Sequence, residues 1–199
     1  MLKGEYSHNI DAKGRLIIPA KFRDDLGEHF VITKGMENCL YVYPEAEWTA
    51  FEEKLNALPT TTDKKARAFA YFFQGSAADG DLDKQGRTLI PSVLRTFAHL
   101  DKEVVFIGMG KRAEIWDKAR WDEKNAEVEL NIEDIASDME ENGRTKEQSY
   151  EKMLNMYLAM SPDPVHIHLL LFDMYLSSLD LYAGNLLYLQ HIHYLLHMP

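Results

Sequence analysis

The apolar residues of this chain fall into short runs and into stripes with helical spacing. Short apolar runs bounded by turn residues are typical of buried strands. The segments AKFRDDLG and SVLRTFAHL each follow such a run and predict short helices. The pattern predicts an α+β fold with a mainly β core, with strands at RLIIP, CLYVY, RTLIP and AEIW.

A longer helix is predicted after the strand CLYVY. Pro44 suits the first position of a helix, and Pro59 ends the apolar stripe that follows it. Because the stripe repeats at helical spacing, we expect it to face the core. Its members are Trp48, Phe51, Leu55 and Leu58.

Two further helices are predicted by their first residues. Thr61 or Thr62 can cap a helix before the second half of the chain. Asn131 and Asp134 predict the start of a last acidic helix that ends near residues 142–143. The apolar face of the earlier helix comprises Ala66, Phe69, Ala70 and Phe73.

The chain contains two copies of one unit. Residues 11–23, DAKGRLIIPAKFR, align with residues 83–95, DKQGRTLIPSVLR, at an offset of 72. The match resumes at an offset of 73, which one inserted loop residue explains. Each unit predicts a turn, a strand, a short helix, a strand, a hairpin, a strand and a helix with a shared Trp. The later pairs are Val31 with Val104, Gly35 with Gly108, Met36 with Met109, Ala46 with Ala119 and Trp48 with Trp121.

This duplication predicts a pseudo-dimer with an internal two-fold axis. We expect a first module over residues 1–58, a linker helix over 59–76 and a second module over 77–143. Residues 144–199 form an atypical extension rich in Leu and His.

Composition narrows the choice of function. The 199 residues include 22 Lys and Arg against 32 Asp and Glu, a formal net charge of −10, and 46% are hydrophobic, which excludes wholesale disorder. An acidic chain needs a local basic patch to bind nucleic acid. Cys39 is the single cysteine, and the N-terminal MLKGEYSH lacks the apolar stretch of a signal peptide. We therefore expect a cytoplasmic protein.

A turn motif, Asp-x-x-Gly-Arg, occurs at the same place in both repeats. It joins Asp11 to Gly14 and Asp83 to Gly86. An aspartate can accept hydrogen bonds from the amides of its own turn, and glycine tolerates a positive φ. These four residues are expected to hold the two loops in shape.

The chain is locally basic around these turns. Residues 11–23 carry four basic residues and one acidic residue, a net +3, and residues 83–95 carry three and one, a net +2. Arg15 and Arg87 either pair with the turn aspartates or bind a ligand. Two equivalent basic loops related by a two-fold axis can form one patch, and arginine can bind phosphate oxygens and guanine edges. The duplication therefore favours ligand binding.

At these residues the sequence resembles the MraZ family. The resemblance covers residues 1 to about 143 and rests on the segments GEYSHNIDAKGRLIIPAKFR, DKQGRTLIPSVLR, YPEAEW and IWDKARW. Family members are bacterial transcriptional regulators of the division and cell-wall gene cluster. They are built from two AbrB-like (SpoVT/AbrB) β-barrel modules, assemble as rings and bind short tandem promoter repeats.

The resemblance implies a sequence-specific DNA-binding repressor that acts as a ring-shaped homo-oligomer on double-stranded promoter DNA. It implies a cytoplasmic, nucleoid-associated protein that is not an enzyme and uses no cofactor, metal or small-molecule substrate. Gln85 stands where the first motif has Lys13, so equal contributions from both loops are not implied. The implied DNA-binding residues are Lys13, Arg15, Lys84 and Arg87, with Asp11, Gly14, Asp83 and Gly86 as loop-forming support.

Other functions are less well supported by the residues. The alternative is an antitoxin-like AbrB-type module that binds a protein partner through residues 144–199. The segment from Gly108 to Lys111 lacks the spacing and the Ser or Thr of a P-loop, and Cys39 is expected in the core or a hairpin, so no enzyme is indicated. The basic residues begin a strand, which disfavours a helix-turn-helix.

The extension differs in composition from the repeats. Residues 144–199 hold 13 Leu and five of the eight His, with no Lys or Arg from Val165 onward. Residues 144–160 predict an amphipathic helix, and Pro162 and Pro164 predict a break after it. The remainder is either a helical or irregular apolar tail, or a fused or out-of-frame segment with no evolved structure, which would favour aggregation if exposed.

Two specific functions of this extension are disfavoured. Asp173 and Asp180 interrupt its apolar stretch, and no basic flanks orient a spanning helix, so we expect no membrane span. The histidines His191, His193 and His197 lack a Cys or carboxylate neighbour to complete a metal site.

Overall fold

The computed structural model describes the backbone of residues 1–160 and the side chains of residues 1–141 and Lys152. The chain divides into two compact units, Met1–Leu130 and Asn131–Pro199. The first unit holds both sequence repeats. In the second unit the described residues are helical.

Strands and helices follow each other in the same order in both repeats. The strands are β1 (Leu2–Asn9), β2 (Arg15–Ile17), β3 (His29–Lys34), β4 (Leu40–Pro44), β5 (Ala78–Asp81), β6 (Arg87–Leu89), β7 (Glu103–Gly110) and β8 (Ala113–Asp117). The helices are α1 (Ala20–Leu26), α2 (Glu45–Asn56), α3 (Lys64–Phe73), α4 (Ser92–Phe97) and α5 (Lys118–Met160). The predicted α+β class with a mainly β core is confirmed, and so are the three strands predicted in each repeat, which are β2, β3 and β4 in the first and β6, β7 and β8 in the second. Strands β1 and β5 were not predicted.

The strands form two antiparallel sheets. The larger has the order β1-β7-β8-β4-β3-β5, and the smaller is a ribbon of β2 and β6. If each strand is replaced by its equivalent in the other repeat, the order becomes β5-β3-β4-β8-β7-β1. This is the same order counted from the opposite edge of the sheet. The pairings therefore have the two-fold relation that the duplication predicts.

The closed barrel implied by the resemblance is wrong for the described chain. Its larger sheet is open, with β1 and β5 as unpaired edges. The ribbon and the short helices α1 and α4 cover the face of the sheet that a closed barrel would enclose. Phe22 and Leu94 on these helices pack into one core cluster with Phe106 of the sheet. Because this cover buries the apolar face, the sheet has no need to close on itself.

The two repeats share their strands. β1 of the first repeat pairs along its whole length with β7 of the second, from Leu2 opposite Gly110 to Asn9 opposite Glu103. In return, β5 of the second repeat pairs with β3 of the first. Each repeat therefore completes its sheet with a strand from the other, while the predicted boundaries between modules stay a prediction.

The opposite face of the sheet is covered by α2 and α3. Trp48 and Leu55, two members of the predicted stripe, are buried there, as is Cys39. Phe73 of α3 packs into the same cluster, but Phe69, predicted on the same face, is 41% exposed. Helices on both faces give the first unit three layers.

The predicted starts of two helices differ from the structure. Asp63, not Thr61 or Thr62, caps α3, because its carboxylate accepts hydrogen bonds from the amides of Lys65 and Ala66 at 2.6 and 3.3 Å. Pro44 precedes the first residue of α2 instead of occupying it.

The last helix begins earlier and ends later than expected. No helix starts at Asn131 or Asp134, because α5 already runs from Lys118. It also continues through Gly143 to Met160, so the predicted end near residues 142–143 is wrong and the predicted helix over 144–160 is confirmed in its backbone. A glycine in a helix interior costs only about 1 kcal/mol relative to alanine and does not by itself end a helix.

The remaining expectations for the extension, including its apolar stretch and its histidines, lie outside the described residues. Among the helices that are described, none combines the length and the apolar character needed to cross a membrane.

Candidate nucleic-acid interface

The first basic turn is held by Asp11. Its Oδ1 accepts hydrogen bonds from the amides of Lys13 and Arg15, both at 2.9 Å. The amide of Gly14 donates to the Asp11 carbonyl at 2.9 Å, and Gly14 has a φ of 80°, a conformation that favours glycine. These contacts all lie within five residues, so they need only the local sequence.

The second turn repeats this geometry. Asp83 Oδ1 accepts from the amides of Gln85 at 2.8 Å and Arg87 at 3.0 Å. The amide of Gly86 donates to the Asp83 carbonyl at 2.8 Å, and Gly86 has a φ of 72°. The two motifs therefore fold alike despite the difference between Lys13 and Gln85.

Each turn arginine forms an ion pair with its aspartate. Arg15 Nε and Nη2 lie 2.8 and 2.7 Å from Asp11 Oδ2. Arg87 Nε and Nη2 lie at the same distances from Asp83 Oδ2. The pairing that the sequence left open is thus present, and it occupies one edge of each guanidinium. Within the described part of the chain, Nη1 of either arginine has no hydrogen bond or ion pair.

The ion pairs lower the pKa of both aspartates to about 2. The hydrogen bond from the arginine side chain is the largest cause, followed by the hydrogen bond from the arginine amide. Both interactions favour the charged carboxylate. The turns therefore keep their ion pairs at neutral pH.

We expect the stabilisation from these pairs to be lost only in strong acid. Because the folded pKa lies below the ordinary value of 3.8, the contribution is complete above that pH and falls as the pH approaches about 2. Carboxyl NMR of the native protein should place both midpoints near 2. In an Arg15→Ala variant the Asp11 midpoint should rise towards 3.8, with Asp83 as the unchanged internal control. A native Asp11 midpoint near 3.8 would contradict the ion pair.

The ribbon brings the two turns together. In β2 and β6, Arg15 lies opposite Leu89 and Ile17 lies opposite Arg87. The amide of Ile18 also donates to the Gly86 carbonyl at 3.0 Å, and the amide of Ile90 donates to the Gly14 carbonyl at 3.0 Å. Both basic turns therefore belong to one surface, as the two-fold relation predicts.

Two arginines without a predicted role each support the turn of the other repeat. Arg23 of α1 lies against Gly86 of the other repeat, where an added Cβ would come within 2.3 Å of its guanidinium carbon. Arg95 of α4 lies against Gly14, with the corresponding distance 2.8 Å. Their Nε atoms donate to the carbonyls of Ile18 and Ile90.

The repeat itself carried a signal for this support. Arg23 and Arg95 occupy equivalent positions, at the same offset of 72 that relates the turn arginines. Their packing also explains why each turn needs a glycine, because a side chain at that position would displace the guanidinium of the other repeat.

Each turn carries one lysine, so the two turns have the same formal charge. Lys13 and Lys84 are both exposed. Lys13 aligns with Gln85, whereas Lys84 aligns with Ala12, so each turn carries its lysine at a different position.

In the described residues no group of three or more His, Cys, Asp or Glu could hold a metal ion.

Comparison with known proteins gives a consistent match over the repeats. The family model described as "MraZ protein, putative antitoxin-like" matches residues 1–71 and 73–142. A protein of Caldanaerobacter subterraneus subsp. tengcongensis, named Transcriptional regulator MraZ, is 53% identical over 140 residues, covering 70% of this chain and 97% of that protein.

Two further relatives with the same name come from other bacteria. The protein of Desulforamulus reducens is 51% identical over 139 residues, covering 70% of this chain and 97% of its own. The protein of Alkaliphilus oremlandii is 50% identical over 143 residues, covering 72% of this chain and 99% of its own.

Proposed function

The chain belongs to the MraZ family, and from this membership and the geometry of its ribbon we propose that it regulates transcription by binding specific promoter DNA. The observation that carries the proposal is the pairing of two basic turns on one two-stranded ribbon. A β-ribbon fits the major groove of B-DNA, which is about 12 Å wide.

Arg15 and Arg87 are proposed to read guanine. Each aspartate holds the Nε edge of its arginine, which leaves Nη1 and the second hydrogen of Nη2 as an end-on fork. Such a fork matches the O6 and N7 acceptors of guanine. The ion pair therefore orients the arginine without using the donors that bind the base.

Lys13 and Lys84 are proposed to contact phosphates. Both are exposed beside the ribbon, and a lysine binds phosphate as a point charge without reading sequence. Asp11, Gly14, Asp83 and Gly86 set the shape of the turns that present these cations.

The assembly is proposed to be a ring of identical subunits on tandem repeats. Head-to-tail contacts present identical faces in one direction, which suits direct repeats, and linkage within the ring makes later contacts intramolecular. By its family, the chain is proposed to repress the division and cell-wall gene cluster and to associate with the nucleoid.

The two repeats are proposed to be AbrB-like modules over residues 1–58 and 77–143, joined through residues 59–76. The exchange of edge strands between repeats supports this assignment, because each half supplies equivalent strands to one symmetric sheet.

The proposal is tested by fluorescence anisotropy with the full chain. One duplex carries short tandem repeats from the region upstream of its own gene, and a second has the same base composition with the repeats scrambled. We expect cooperative binding that is tighter on the repeats by on the order of 10³-fold, with affinity falling on both duplexes as salt rises. Equal affinity for both duplexes would contradict the proposal and favour the protein-binding alternative.

A further inference from the structure

The outward face of the ribbon carries two apolar side chains besides its arginines. Ile17 is 41% exposed and Leu89 is 58% exposed, although both are large aliphatic residues. They occupy equivalent positions in the two repeats, at an offset of 72. Two equivalent apolar residues exposed on one small surface indicate that both contact the same kind of partner.

The register places these residues among the arginines. Successive side chains of a strand point to opposite faces, and directly opposite residues share a face. Leu16 and Thr88 face each other and are buried, at 0% and 2% exposure. Their neighbours therefore lie on the outward face. There each arginine faces an apolar residue across the ribbon, Arg15 opposite Leu89 and Arg87 opposite Ile17.

This mixed face fits the edges of base pairs better than it fits a protein. Burying a charge is costly unless it is paired, so a protein partner would have to supply an acceptor for each of the two arginines here. The major groove presents hydrogen-bond acceptors of guanine next to one apolar group, the 5-methyl of thymine.

We propose that Ile17 and Leu89 contact thymine methyl groups in the major groove, beside the guanines bound by Arg15 and Arg87. This inference rests on the proposed function. Directly opposite side chains are about 5 Å apart at Cβ, and base pairs stack about 3.4 Å apart. Each apolar residue and its facing arginine therefore reach base pairs that are one or two steps apart. The DNA site should then have a thymine within two base pairs of each guanine.

The test replaces thymine by deoxyuridine throughout the repeat duplex, which removes the methyl groups and keeps every hydrogen-bonding group. The full chain should bind the deoxyuridine duplex about fourfold more weakly for each methyl contacted. An Ile17→Ala/Leu89→Ala variant should bind the thymine duplex more weakly and no longer distinguish the two duplexes. Both residues are partly exposed, so the variant should fold, which circular dichroism checks.

Val93→Ala serves as the matched control. Val93 is 66% exposed and lies on α4 outside the ribbon, so this variant should discriminate thymine from deoxyuridine as the wild type does. Equal affinity of the wild type for both duplexes, with selectivity for the repeats retained, would overturn the inference and leave the proposed function standing. An unchanged ratio in the double variant, with an altered oligomer mass, would also overturn it and assign the two residues to a protein contact. Absence of any selectivity for the repeats would overturn both.

Discussion

Replacing Arg15 and Arg87 together by alanine is expected to abolish selective binding to the repeat duplex while the chain stays folded. Each arginine that reads a guanine contributes about 1 to 3 kcal/mol of discrimination, so the double variant should lose roughly 30-fold to 10⁴-fold in affinity for the repeats. Anisotropy titrations on the repeat and scrambled duplexes measure this loss directly.

The folded state should survive this change because the turns do not depend on the guanidinium alone. Asp11 Oδ1 still accepts from the amides of residues 13 and 15, and Asp83 Oδ1 from those of residues 85 and 87. The ion pairs are partly exposed, with the arginine side chains at 32% and 23%, and pairs of this kind contribute little to stability.

The lysines provide the contrast for this experiment. A Lys13→Ala/Lys84→Ala variant should weaken binding to both duplexes similarly and reduce the salt dependence by about one unit of slope for each lysine. A folded arginine variant that keeps wild-type selectivity would contradict the assigned base contacts, whatever the lysine variant does.

Replacing Phe106 by alanine is expected to destabilise the whole first unit by about 3 to 5 kcal/mol, the usual cost of a large cavity at a buried aromatic residue. Phe106 lies on β7 of the second repeat and is fully buried. The centroid of its ring lies 6.3 Å from that of Phe22 of α1 and 6.1 Å from that of His8 of β1. Both partners belong to the first repeat. The cavity therefore opens between the two repeats.

Because the repeats share this core, they should unfold together. Urea unfolding is monitored in two single-tryptophan variants, one that keeps Trp48 and one that keeps Trp116. In the Phe106→Ala background, both probes should give the same lowered midpoint. Tyr71→Ala, at a side chain that is 69% exposed, should change stability by less than about 0.5 kcal/mol. A midpoint for Trp48 unchanged by Phe106→Ala would show that the repeats fold independently.

The sequence predicted the elements that are defined by near neighbours. The apolar runs at β2, β4, β6 and β8 are strands, and the stripe with Trp48 is a helix. Strand β1 was missed because Leu2 is its one buried residue and Tyr6 is the other that packs against the core, so the segment has no apolar run. It is a strand because it pairs with β7, about a hundred residues away, and that partner is not encoded in a local pattern.

Helix ends were predicted less well than helix faces. Several residues near a helix start can act as a cap, and Asp63 was chosen over Thr61 and Thr62 by the actual path of the chain. Gly143 did not end α5, because a glycine ends a helix only where the chain turns away from it.

The duplication and the shape of the two basic turns follow from the local sequence. In each turn the aspartate, the glycine and the arginine lie within five residues, so their hydrogen bonds form from local chemistry alone. Arg15 and Arg87 occupy equivalent positions in the two repeats, at the offset of 72. This equivalence also indicated that the two turns act as a pair.

How the repeats combine depends on contacts between residues that are far apart in the sequence. The ribbon sets Arg15 opposite Leu89, and packing across the repeats sets Arg23 against Gly86. These contacts join residues more than sixty positions apart. Their register depends on burying Leu16 opposite Thr88 and on the exchange of edge strands, which are properties of the assembled core. The tertiary structure therefore determines which exposed side chains accompany the basic turns.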